Sequence, residues 1–150
     1  MSDFYGIGIV NTKTEANIGT LWRSAHAFGA SFIFTVGRRY RRQSSDTVNA
    51  WRSVPLFDFE GIADLRRHIP YDALLVGVEL DPRAIPLSSF AHPKRAVYLL
   101  GAEDHGLSEE QRAACHKLVV ISGAARCLNV ATAGSLVMYD RATRAAGGGR

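Results

Sequence analysis

The residues able to do chemistry in this sequence fall into a few short clusters. Gly101-Ala-Glu-Asp-His-Gly106 has the glycine spacing of a phosphate-binding loop, but the Lys-Ser/Thr pair that would complete one is missing. Arg38-Arg39-Tyr40-Arg41-Arg42 sets four guanidinium groups around one aromatic ring. Arginine forks grip phosphate through paired hydrogen bonds and a tyrosine face stacks on an unpaired base, so this run is a candidate RNA-binding segment. The plainer interpretation of a single charge run is a solvated loop, and RNA binding needs support from elsewhere in the chain. No Gly-x-Gly-x-x-Gly follows a strand and no Gly-x-Ser-x-Gly elbow exists, which argues against dinucleotide binding and serine-hydrolase chemistry. The five histidines, with Cys115 and Cys127, form no metal-ligand pattern, so no metal is expected.

The elements that must position these clusters alternate along the chain. Gly6–Val10, Ser31–Val36, Ala73–Val78, Ala96–Leu100 and Leu118–Ile121 are short continuous apolar runs that predict buried strands. Asn17 precedes Ile18, Leu21, Trp22, Ala25 and Phe28, a three-and-four spacing that predicts a helix with Asn17 as its N-cap and Gly29 as its stop. Ile62–His68 predicts a second helix, Ser108-Glu109-Glu110-Gln111 is a capping box opening a third that runs to about His116, and Ala131–Ala145 closes the chain. The polar stretch reaching to about Ser53 and the proline-bearing segment Asp81–Pro93 are expected to be loops, and the tail from about residue 146 is expected to be disordered. Unbroken apolar strands alternating with helices imply an α/β fold, a mostly parallel sheet with helices on both faces, in a single domain over residues 1–150. Ligands of such sheets sit beyond the carboxyl ends of the strands, which directs attention to the loops after Val10, Leu100 and Ile121.

Composition sets outer bounds. The 150 residues carry 18 Lys+Arg against 14 Asp+Glu, a formal charge of +4, with 47% hydrophobic and 21% charged residues. That balance excludes a disordered, collagenous or coiled-coil chain. No apolar run approaches the ~20 residues of a membrane span. The start, Met1-Ser2-Asp3-Phe4, lacks a secretory pattern, and two cysteines make no disulfide framework, so a cytoplasmic location is expected.

Three motifs remain once the familiar chemistries are set aside. Asn17-x-Gly19-x-x-x-Arg23 lies in the first helix, Gly101-x-Glu103-x-x-Gly106-Leu-Ser108 follows a strand, and Cys127-Leu-Asn129-Val-Ala-x-Ala133 leads into the last helix. In this order and spacing they resemble the motifs of the SpoU (TrmH-like) RNA 2′-O-ribose methyltransferases of the SPOUT superfamily, over Gly6 to about Arg141. The resemblance implies a carboxyl-terminal trefoil knot, a bent S-adenosylmethionine held largely by backbone groups, and a homodimer whose site is completed across the interface. It implies cofactor contacts at Val78, Gly101, Ile121, Leu128 and Ala133. It also implies a catalytic role for Arg23, with Asn17, Asn129 and Glu103 arranging arginine and substrate. A guanidinium is too weak an acid to serve readily as a base, so Arg23 is expected to stabilise the developing 2′-alkoxide electrostatically. Taken singly, Asn17 and Asn129 are ordinary helix caps and Glu103 an ordinary ion-pair partner; only their joint occurrence points to a site. The chain departs from the family at Cys127, where serine is usual, and in a short Ser122–Arg126 segment without the common proline. The expected substrate is tRNA or rRNA, with tRNA favoured because the family's additional amino-terminal domain is absent from this sequence. The alternatives are a SPOUT enzyme acting on a base nitrogen, an inactive RNA-binding module of the same fold, and an α/β protein acting on phosphorylated metabolites.

Overall fold

The computed structural model describes residues 3–10, 15–37, 53–102, 105–124 and 126–148, with side chains as far as residue 144. The run Arg38, Arg39, Tyr40, Arg41 and Arg42, together with Glu103, lies outside the described residues. Strand β1 (Phe4–Val10) leads into helix α1 (Glu15–Ala27), followed by β2 (Phe32–Val36), β3 (Leu56–Phe59), α2 (Ile62–His68) and β4 (Leu74–Val78). A two-residue strand β5 (Ile85–Pro86) and one 3₁₀ turn (Leu87–Ser89) precede β6 (Arg95–Leu100), α3 (Glu109–Ala114), β7 (Lys117–Val120) and α4 (Val130–Gly148). The seven strands form one sheet in the order β3-β2-β1-β6-β4-β7-β5, and each adjacent pair runs parallel.

Two apolar cores follow from the strand pleat, because alternate side chains of one strand point to opposite faces. Tyr5, Ile7 and Ile9 of β1 join Ile18, Leu21, Trp22 and Ala25 of α1 and Val137 and Met138 of α4 on one face. Phe34 and Val36 of β2, Leu75 of β4 and Leu99 of β6 join Leu65 of α2 on the other. Where α4 crosses α1, a Cβ on Gly134 would lie 2.5 Å from Leu21 Cδ1, so a larger residue there would require the Leu21 side chain to shift. A Schellman motif ends α1. Ala30 N–H bonds the Ala25 carbonyl at 2.9 Å and Gly29 N–H the His26 carbonyl at 3.4 Å, with Gly29 at φ +78°. At α3, the Ser108 and Gln111 side chains exchange the two hydrogen bonds of a capping box.

Three sequence expectations need correction. Asn17 is not the cap of α1, which has already begun at Glu15; its carbonyl oxygen is engaged by a residue from the far end of the chain. The segment Asp81–Pro93 is not wholly loop, and β3 was also unforeseen. Both strands are short and lie at the edges of the sheet, where proline is tolerated and apolar periodicity is weak. The closing helix runs past Ala145 through Gly147 and Gly148, with Ala145 and Ala146 favouring the helical backbone.

Candidate active site

A cleft of about 560 Å³ opens at the carboxyl edge of the sheet, where β6, β4 and β7 lie side by side. Val78 and Glu79 follow from β4, Gly101 and Ala102 from β6, and Val120 and Ile121 from β7; Leu128, Val130 and Ala133 close it from the start of α4. All five residues expected to touch the cofactor, Val78, Gly101, Ile121, Leu128 and Ala133, therefore share one cavity wall. The turn after β6 is built for close approach. Ala102 and Gly106 pair across it, and a Cβ on Gly101 would lie 2.5 Å from the Gly106 carbonyl carbon. Gly106 itself has φ +61°, a left-handed conformation that glycine adopts without strain. Such a wall, apolar with polar groups at its rim and with backbone brought close by two glycines, fits a nucleoside-bearing ligand such as S-adenosylmethionine.

The two asparagines meet. Asn129 Nδ2 donates to Asn17 Oδ1 at 2.9 Å, joining the first turn of α1 to the threshold of α4 across 112 positions of sequence. The same Asn129 caps α4, its Oδ1 accepting the N–H groups of Ala131 at 2.9 Å and Thr132 at 3.1 Å. The observed cap and the residue expected at the site are thus one residue. Arg23 lies six residues beyond Asn17 on α1, exposed, and is not among the residues lining the cleft of its own chain. Cys127 is exposed on the cleft wall beside Leu128, after a turn in which Gly123 adopts φ +90°.

Sequence reasoning missed the polar frame behind the cleft. Glu79 accepts the N–H of Leu107 at 2.5 Å and that of Leu80 at 2.8 Å. Asp81 is buried and takes hydrogen bonds from Arg83 and Arg112, which hold its carboxyl well below the usual carboxylate range. Arg83 also pairs with Glu109 at 3.3 Å, so the segment after β4 is tied to α3. Behind it, burial pushes the Cys115 thiol up to about 11, which leaves it protonated and unreactive at neutral pH. The sequence signal for this frame is charged residues at every second position, Glu79, Asp81 and Arg83, indistinguishable from a solvated loop. Among the described residues, no group of three or more His, Cys, Asp or Glu could hold a metal ion, and no helix is long and apolar enough to cross a membrane.

Residues 6–139 match the model of the SpoU rRNA methylase family. The chain belongs to that family. Over 135 residues it is 28% identical to the 23S rRNA (guanosine-2′-O-)-methyltransferase RlmB of Acinetobacter baylyi, a match covering 83% of this chain and 53% of that protein. The chain thus spans about half the length of this curated relative. Among solved structures, the SpoU methyltransferase AviRb of Streptomyces viridochromogenes in complex with AdoMet superimposes with a TM-score of 0.85 at 23% identity, over 97% of this chain and 59% of that one. A structure determined for the 2-OH methylation of C/U34 on tRNA superimposes with a TM-score of 0.79 at 22% identity, over 97% of this chain and 98% of that one. These likenesses bear out the α/β, mostly parallel fold expected from the sequence.

Proposed function

We propose that this chain transfers a methyl group from S-adenosylmethionine to a ribose 2′-hydroxyl of tRNA or rRNA. The observation that carries this reading is the Asn129–Asn17 hydrogen bond, because it locks the helix bearing Arg23 to the residues that open the cleft. The Gly101–Gly106 turn, Val78, Ile121, Leu128 and Ala133 would hold the cofactor, which supplies an electrophilic methyl group and departs as a neutral thioether. Arg23 stabilises the ribose oxygen as its proton passes to solvent water, and Asn17 and Asn129 fix the geometry between the helix and the cleft. Glu103 is assigned to orient arginine or ribose.

The working unit is a homodimer in which Arg23 of one copy completes the cleft of the other. Two features support this. Arg23 does not line its own cleft, and α1 presents the small residues Ala16, Thr20 and Ala27 beside it while α4 exposes Leu136 and Tyr139. Flat faces of small and aromatic residues suit close helix packing between copies. The trefoil knot belongs to the same proposal. The proposed substrate is tRNA in preference to rRNA, a choice supported by the likeness to the C/U34 structure along nearly its whole chain. A cytoplasmic location belongs to the same proposal, and Arg38, Arg39, Tyr40, Arg41 and Arg42 are assigned to gripping RNA. Changing Arg41 and Arg42 to Ala is expected to flatten the salt dependence of RNA binding by about 0.7–0.9 in log–log slope for each phosphate no longer gripped.

The deciding experiment supplies the protein with isotopically labelled S-adenosylmethionine and with tRNA or rRNA lacking the modification, then resolves the digested nucleosides by mass spectrometry. Label on a 2′-O-methylated nucleoside is expected. Label on a base makes the chain a base-nitrogen enzyme, and no label on any RNA, with RNA still bound, makes it an inactive binding module.

A further inference from the structure

Glu79 stands directly after β4, on the cleft wall, with its two oxygens divided between two backbone donors. Oε1 accepts Leu80 N–H at 2.8 Å, and Oε2 accepts Leu107 N–H at 2.5 Å. Leu107 ends the Gly101–Gly106 turn, so this carboxylate bridges the loop after β4 to the loop after β6. The two are closely apposed: a Cβ on Gly106 would fall 2.1 Å from Glu79 Oε2, so a larger residue there would displace the carboxylate. Two residues on, Asp81 receives Arg112 Nη1 at 3.2 Å and so ties the same short segment to α3, the helix that follows the turn. Leu107 is 3% exposed, which leaves water little access to its N–H if the carboxylate is removed.

We propose that Glu79 is the positioning residue of the cofactor cleft, its carboxylate holding the Gly101–Leu107 turn in the shape that S-adenosylmethionine requires. This deepens the methyl-transfer reading and rests on it. Two N–H groups need two acceptors, and only a carboxylate of this length supplies both. Glutamine offers one acceptor and sets an NH₂ against the second donor, while aspartate is one methylene short of Leu107.

The test compares wild type, Glu79→Gln and Glu79→Ala by calorimetric titration with S-adenosylmethionine and S-adenosylhomocysteine, by turnover at saturating cofactor, and by amide hydrogen exchange at Leu107. Loss of one part-buried hydrogen bond to a charged group is expected to raise the dissociation constant of both ligands about tenfold in Glu79→Gln, and further in Glu79→Ala. Exchange at Leu107 accelerates in both variants, and the loss of affinity exceeds any loss of turnover at saturating cofactor. A general loss of folding would instead lower turnover and bound fraction together and would overturn the positioning role. Wild-type affinity in Glu79→Gln with unchanged exchange at Leu107 overturns the proposal as well. If wild type itself binds neither ligand, the methyl-transfer reading fails and takes this proposal with it, a result distinct from a binding-competent wild type with an insensitive variant.

Discussion

The two ends of α4 are both polar and both anchored to distant parts of the chain, yet they differ in kind. At the amino end, Asn129 makes one side-chain hydrogen bond to Asn17 and caps the helix at the mouth of the cleft. At the carboxyl end, Arg141 is buried and donates to the Pro93 and Lys94 carbonyls, at 2.6 and 3.0 Å, and to the Tyr98 hydroxyl at 3.0 Å. The Asp140 carboxylate can only accept, so His92 Nε2–H donates to it at 2.7 Å, and Nδ1 of the neutral ring accepts the Tyr98 hydroxyl at 2.6 Å. Arg144 closes the network by bonding Asp140 and the carbonyls of Leu87 and Phe90. This dense end looks more like a catalytic relay than the sparse one does. It lies instead at the amino edge of the sheet, packed in the core against Tyr5 and Tyr98 and away from the cleft. Crowded polar groups here satisfy one another, whereas the sparse end leaves surface for a ligand.

Removing Arg23 breaks this comparison most severely. Arg23→Ala is expected to lower turnover by ~10²–10³ while cofactor affinity stays near wild type, since the variant forgoes one interaction made in the transition state. Arg23→Lys rescues poorly, because a point charge does not reproduce a planar fork. Steady-state kinetics with calorimetric titration check both. Near-normal turnover in Arg23→Ala would remove Arg23 from the mechanism.

At the other end of the helix the effect moves from catalysis to stability. Arg141→Ala removes the guanidinium donor from the Pro93 carbonyl and the Tyr98 hydroxyl oxygen and leaves the Lys94 carbonyl with the Phe4 N–H alone, and should cost about 2–4 kcal/mol of folding free energy. Denaturant unfolding measures this. Turnover per folded molecule is expected to hold, and a selective loss of turnover would contradict the contrast between the two ends.

Asn129 separates cap from bridge. Asn129→Ala forfeits both, with about 0.5–2 kcal/mol lost from the cap alone. Asn129→Asp keeps the acceptor for Ala131 and Thr132 and favours the helix dipole, but replaces the donor facing Asn17 Oδ1 by an acceptor. Near-native melting with reduced turnover is expected for Asn129→Asp. If both properties stay native, the bridge plays no part in the site.

The smallest effect is in pH. Burial holds the His92 imidazole below its ordinary titration range, and Arg144 and Arg141 act in the same direction against the pull of Asp140. The folded protein therefore binds fewer protons at His92 than the unfolded chain does below about pH 6.5. Stability from this group is complete above that value and falls as pH drops through the lower folded-state value. Melting temperature between pH 7.5 and 5 should fall more steeply for wild type than for His92→Gln, and parallel curves would exclude the effect.

The sequence by itself determined the parts that local physics controls. Continuous apolar runs such as Ala96–Leu100 announce strands buried on both faces, Gly29 announces a helix stop, and Ser108 with Gln111 announces a capping box; each depends on neighbours within a few residues. The spacing of Asn17, Arg23, Gly101 and Asn129 was legible through family resemblance, which is itself a property of the sequence. Tertiary structure decided the partners. Asn17 has the chemistry of a cap, and only the arrival of Asn129 from the other end of the chain makes it a bridge. Glu79 has the chemistry of a solvated loop residue, and only the position of β4 beside β6 sets its carboxylate against Leu107. Edge strands β3 and β5 exist because a neighbour supplies their hydrogen bonds, not because their own residues demand them. Local propensity is written into short stretches of sequence, whereas the partner of a polar side chain is fixed by which distant segment the folded sheet brings within about 3 Å of it.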